Sequence, residues 1–162
     1  MARNVFFSFH YDNDIWRAFI VRNSWVTKPN RTATGVIDKA EFEQIKKRGD
    51  TEVKKWIDGQ LTGTSVTVVL IGSETLERPF VQYELKKSFE RGNGILGVYI
   101  NKIKDQDGKT TSYCSIYGVE IGKDNFGSSV YFSKYSVHDW ISEDGYNNLG
   151  AWVEDAAKAA GK

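Results

Sequence analysis

Thr64-Ser65-Val66-Thr67-Val68-Val69-Leu70-Ile71-Gly72-Ser73 runs through Glu74–Arg78 into Pro79-Phe80-Val81-Gln82-Tyr83-Glu84-Leu85-Lys86-Lys87-Ser88-Phe89. The first part is a nearly unbroken β-branched and aliphatic run. A strand covered on both faces by helices reads this way, whereas a half-solvated strand alternates. Gly72 closes the run, and Ser73 or Thr75 supplies a polar group at its carboxyl end. Pro79 suits a first helical turn, where its missing N–H would be unpaired in any case. In the helix that follows, Val81, Leu85, Ser88 and Phe89 share one face and pack on the sheet. Glu84 lies about 100° around from its neighbour, at the edge of that face, where a carboxylate is partly desolvated and still reaches a cleft.

Working outward toward the N-terminus, Val5-Phe6-Phe7-Ser8-Phe9 forms a second apolar run, read as the first, central strand. It ends in His10-Tyr11-Asp12-Asn13-Asp14. Asp12 or Asn13 is placed to cap a helix from about Ile15 to Trp25, in which Ile15, Trp16, Phe19, Ile20 and Asn23 recur at helical spacing. Val26 to Ala33 reads as a loop and Thr34-Gly35-Val36-Ile37-Asp38 as the second strand. Lys39 to Gly49 reads as a charged helical turn or ordered loop. Val53, Trp56, Ile57 and Leu61 then mark one face of a helix.

Toward the C-terminus, Gly92-Asn93-Gly94 ends the glutamate-bearing helix and Ile95-Leu96-Gly97-Val98-Tyr99-Ile100 forms another buried strand. Asn101 to Gly127 is long enough to be either an excursion with its own short strands or a functional loop. Val130-Tyr131-Phe132 reads as a last edge strand, and about Tyr146 to Ala160 as a closing helix. Strands alternating with helices predict an α/β fold with a doubly wound, mainly parallel sheet. A chain of 162 residues is expected to make a single domain with a real core.

Composition excludes several function classes. With 40% apolar residues, 27% charged residues and a net charge of +1, the chain offers neither the basic surface of a nucleic-acid binder nor that of a membrane-surface protein. Its single cysteine, Cys114, forms no intrachain disulfide and fits a reducing cytoplasm. The start resembles no signal peptide, and no apolar run approaches the ~20 residues of a spanning helix. No Gly-rich phosphate loop is present. Two histidines far apart, His10 and His138, give no metal site, and His138 reads as a surface or interface residue. No bound cofactor is expected.

In a doubly wound sheet, ligands bind beyond the carboxyl ends of the strands, next to the switch in strand order. The candidate binding residues are therefore Phe9, His10, Tyr11 and Asp12 after the first strand, Asp38 after the second, and Ser73 after the third, with Glu84 about a helical turn on. An aromatic floor, hydroxyl groups and carboxylates suit a nucleotide and chemistry at its sugar. Two readings of Glu84 fit the sequence: a helix glutamate paired with Lys87 or Ser88, or a carboxylate serving the cleft.

Three motifs bear on that choice: Arg3-Asn4-Val5-Phe6-Phe7-Ser8-Phe9-His10-Tyr11, Gly63 to Gly72, and Arg78-Pro79-Phe80-Val81-Gln82-Tyr83-Glu84. Together they resemble the bacterial TIR-like family, which includes the TIR-type protein of the Thoeris anti-phage defence system. In that family the helix after the third strand commonly begins Arg-Pro-Trp-Val, so Phe80 stands where tryptophan is usual. The resemblance implies a flavodoxin-like TIR fold, with Glu84 as the carboxylate used to cleave the nicotinamide–ribose bond of NAD. It further implies a cyclic ADP-ribose-type messenger, a phage-derived trigger, a separate effector protein and possible homo-oligomers. Two other expectations fit the same chain: a non-catalytic TIR-like interaction module, and a nucleoside N-glycosidase of related fold.

Overall fold

In a computed structural model, residues 3–37 and 39–162 are described. Five parallel strands form the sheet in the order β2-β1-β3-β4-β7. These are β1 (Arg3–Ser8), β2 (Arg31–Thr34), β3 (Val66–Ile71), β4 (Gly94–Tyr99) and β7 (Val137–Asp139). Helices α1 (Tyr11–Val26), α2 (Lys39–Lys46), α3 (Asp50–Leu61), α4 (Pro79–Glu90) and α5 (Gly145–Ala159) accompany them. Order and direction match the expected doubly wound, flavodoxin-like architecture, and the strand order reverses between β1 and β3. All six residues of β3 are buried, as its unbroken apolar run requires. No helix among the described residues is long and apolar enough to cross a membrane.

Several boundaries differ from the sequence reading, each for a physical reason. The second strand is Arg31–Thr34: its first three residues lie in the stretch read as a loop, and of the predicted strand Thr34–Asp38 only Thr34 belongs to it, while residues 35–37 fall outside it and Asp38 lies outside the described residues. It is a partly exposed edge strand, so burial imposes no apolar pattern on it. What holds it is the ladder to β1 and the Trp25 indole N–H donating to the Thr32 carbonyl at 2.9 Å. Gly35 follows with φ +89°, a left-handed turn in which an added Cβ would run into the Phe7 carbonyl.

Helix α1 begins at Tyr11, so Asp12 and Asn13 lie inside its first turn, and His10 takes the N-cap position without a side-chain cap. Its buried face is Tyr11, Asp14, Arg17, Ala18, Val21 and Trp25, not the predicted set, and Trp16 and Ile20 stay exposed. The cause is a buried ion pair. Arg17 and Asp14, each 1% exposed, meet at 3.0 Å. Arg17 also donates to the carbonyls of Ile103 at 2.7 Å and Lys109 at 2.8 Å.

The long connection from β4 to β7 carries an antiparallel hairpin, β5 (Glu120–Lys123) and β6 (Ser129–Tyr131). Val130 and Tyr131 therefore belong to this hairpin and not to the edge of the main sheet, while Phe132 starts a short 3-10 turn. Ile121, Val130 and Phe132 pack with Val69, Ile71, Val81 and Leu85. The hairpin thus covers the same face of the sheet as α4. The true edge strand, β7, contains His138, whose ring stacks on Trp152 at 4.2 Å and bonds Glu143 at 2.9 Å.

Candidate functional site

A cavity of about 520 Å³ opens beside the carboxyl end of β1, where the order of strands β1 and β3 switches. Its walls come from the end of β1 and start of α1, from α2 and α3, and from the first half of α4. The volume is in the range of a small-molecule site.

The floor is aromatic. Phe9 and Tyr11 lie 4.2 Å apart, Tyr11 stacks on Phe42 at 3.9 Å, and Trp56 meets the edges of both Tyr11 and Phe42. Tyr11 is fixed further by its hydroxyl, which donates to the Gly35 carbonyl. Burial pushes that phenol far above its usual range, so it stays neutral. Phe80 is half-buried at the start of α4 and also lines the cavity.

Glu84 enters from α4. It is 6% exposed, together with Val81, Leu85 and Ser88 at 0–1%, so it belongs to the buried face and not to its edge. The rim position expected for it is closed because α4 is flanked by α3 as well as by the sheet, Tyr83 donating to Asp58 at 2.9 Å. Burial drives the Glu84 carboxyl well above the ordinary 4.5, while the nearby Ser8 hydroxyl works in the opposite direction. The structural pairings imagined for Glu84 are taken up elsewhere. Lys87 pairs with Glu90 at 3.3 Å, and Ser88 Oγ donates to the Glu84 backbone carbonyl, leaving the carboxyl group aside.

The structure brings Phe9, His10, Tyr11, Asp12 and Glu84 to one cavity. Ser73 is not among the lining residues. The polar role at the end of β3 falls to Thr75, whose Oγ1 accepts the Gly72 N–H at 2.7 Å. Gly72 is required there, since a Cβ would collide with the Asp14 carboxylate. Asp38 lies outside the described residues. His10 is 7% exposed and its pKa is lowered, first by burial and then by the Arg78 cation. It is therefore neutral at neutral pH. Asp12 points to the surface within 4.0 Å of Lys46.

Sequence reasoning missed the contributions of α2 and α3: Phe42, Trp56, Lys46 and Lys54, with Arg78 ahead of α4. An aromatic residue on a short, highly charged helix was the available signal, since Phe42 has little other reason to be buried. With Lys86, three lysines and one arginine surround the mouth of an aromatic, carboxylate-bearing pocket. Such a lining suits an anionic nucleotide: rings for a base, cations for phosphates, and a buried carboxyl group for a sugar that becomes positively charged.

The family model for "Thoeris protein ThsB, TIR-like domain" matches residues 6–105. The chain is also 39% identical over 191 residues to a protein of Bacillus cereus (strain MSX-D12) named "Putative cyclic ADP-D-ribose synthase ThsB1". That alignment covers 94% of this chain and 100% of the relative.

Proposed function

Since the chain belongs to the TIR-like domain family of the Thoeris protein ThsB, we propose that it is an NAD-processing enzyme forming a cyclic ADP-ribose-type product with Glu84 as its catalytic carboxylate. The observation that carries the residue assignment is Glu84 itself. It is a carboxyl group buried at 6% exposure in the wall of an aromatic, cation-rimmed cavity, with no lysine or arginine paired to it among the described residues.

The chemistry follows from that placement. When the bond between nicotinamide nitrogen and ribose C1′ breaks, its electron pair leaves with the nitrogen. Nicotinamide departs neutral, and positive charge develops on the sugar. A fixed carboxylate in a poorly hydrated site stabilises that charge far more than water does. No general acid is needed for a neutral leaving group, which agrees with a site whose one histidine, His10, is held neutral. Capture of the cation by another nucleophilic group of the same molecule, which gives up its proton where that group is a hydroxyl, closes a cyclic product; capture by water gives ADP-ribose and a proton. Enclosure by Phe9, Tyr11, Phe42 and Phe80 favours the first outcome by excluding water.

In this reading the protein works in the cytoplasm as the signalling half of an anti-phage system. A phage-derived trigger switches it on, and the messenger activates a separate effector protein. The test is to incubate the purified protein with NAD, with and without lysate of phage-infected cells, and to follow nicotinamide and the ADP-ribose products by mass spectrometry. Glu84→Gln is expected to abolish release of nicotinamide. Release by that variant at the parent rate would remove Glu84 from the mechanism.

A further inference from the structure

Ser8 closes β1, and its surroundings are unusual for a serine. The register pairs Ser8 with Val69 and Phe6 with Thr67, and neighbours across a parallel ladder send their side chains to the same face. That face lies under α4, where Thr67 Oγ1 and Ser88 Oγ are 2.6 Å apart. Glu84 is one helical turn before Ser88. Ser8 therefore stands beneath the part of α4 that carries Glu84.

Ser8 and Ser88 are both fully buried, but only one is satisfied. Ser88 Oγ bonds Thr67 and the Glu84 carbonyl. Ser8 Oγ has no hydrogen-bond partner among the described residues. Buried hydroxyl groups without a partner are rare because water is given up for nothing. Its hydroxyl favours the charged form of the Glu84 carboxyl, close to it without meeting strict hydrogen-bond geometry.

Resting on the reading of Glu84 as the catalytic carboxylate, we propose that Ser8 is its positioning residue. As the ribosyl cation develops, the Ser8 hydroxyl turns its proton to the Glu84 carboxylate, fixing the group's orientation and its charge against the cost of burial. Ser8 touches neither substrate nor reacting atoms; it acts through Glu84.

Other groups around the cavity do not supply this. The Tyr11 hydroxyl is committed to Gly35, and His10 at the end of β1 is neutral. On α1 and α2, Asp12 and Lys46 face each other at 4.0 Å. Asp50 and Lys54 on α3, with Arg78 and Lys86 at α4, are exposed at the mouth, where salt and water screen them.

The experiment compares the wild type with Glu84→Gln, Ser8→Ala, Ser8→Thr and Ser8→Cys in two readouts. One is the pH dependence of kcat and KM for NAD. The other is the titration of the Glu84 side-chain carbon by ¹³C NMR, assigned by its loss in Glu84→Gln, which needs no turnover. Ser8→Ala is expected to lower kcat at neutral pH by roughly tenfold or more, the size of a lost hydrogen bond to a charged group. KM should stay within about twofold, while the acid limb of the rate and the Glu84 titration both move up by about one pH unit. Ser8→Thr, which keeps the hydroxyl, should restore much of kcat.

If Ser8→Ala does not fold, Ser8→Cys, a weaker donor of similar shape, must move both readouts in the same direction. Wild-type kcat, pH profile and Glu84 titration in the folded variant, with Glu84→Gln inactive, would overturn the role of Ser8 alone. Full activity in Glu84→Gln would overturn the reading on which it rests.

Discussion

At Glu84 the fold holds an acid in a place that disfavours its charge. In the unfolded chain this carboxyl titrates near 4.5, and in the folded protein its pKa lies well above that. The folded state therefore keeps the proton longer. The stability that goes with the neutral acid is complete below pH 4.5 and is lost as the pH rises through the folded pKa. Glutamine has the same shape and no charge to desolvate, so Glu84→Gln should raise the melting temperature at pH 7–8. The gain should shrink as the pH approaches 4.5, which thermal melts across that range will show. A stabilised but inactive variant is what a carboxylate kept for chemistry predicts. At the mouth of the same cavity, Arg78 is exposed, and on the proposed NAD-processing reading its guanidinium is the group offered to the substrate's diphosphate. Arg78→Ala is expected to raise KM for NAD severalfold with less change in kcat, measured by steady-state rates at low salt.

Among the elements, β3 and α4 were legible from the sequence because burial on both faces of a strand and on one face of a helix leaves an unmistakable apolar pattern. Strand β2 was not, since a partly exposed edge strand needs no such pattern, and its residues Arg31 to Thr34 resemble a loop. Helix α1 was legible in extent but not in orientation. Its buried face includes Asp14 and Arg17, and no hydrophobicity argument places a charged pair in a core. That pair has a structural consequence. Arg17 ties α1 to the start of the long β4–β7 connection through the Ile103 and Lys109 carbonyls. Arg17→Ala would leave Asp14 buried without its cation and two carbonyls without a donor. The expected loss is about 3–5 kcal/mol, seen as a lowered midpoint in urea unfolding, with residues 103–111 losing amide-exchange protection first.

Taken whole, the molecule places a buried carboxyl group, the rings of Phe9, Tyr11, Phe42, Trp56 and Phe80, and, at the mouth, a set of cations where a doubly wound sheet puts its ligands. Position along the chain predicted the part contributed by strand ends, namely Phe9, His10, Tyr11 and Asp12. It could not predict Phe42, Trp56, Lys46 and Lys54, because the crossover from β2 to β3 folds back over the site through two helices, and only the three-dimensional path shows it. Ser73, placed by the same strand-end rule, is displaced from the cavity because the turn after β3 is closed by Thr75. Motif resemblance implied Glu84 as the catalytic acid, the role proposed above, while periodicity alone left it at the margin of a packed face. The most direct measurement is mass spectrometry of the nucleotides in phage-infected cells expressing either the wild-type chain or Glu84→Gln. The account predicts NAD loss and a new cyclic ADP-ribose-type species with the wild type, and neither with the variant at equal protein level. The same cyclic species accumulating in both cultures would contradict it.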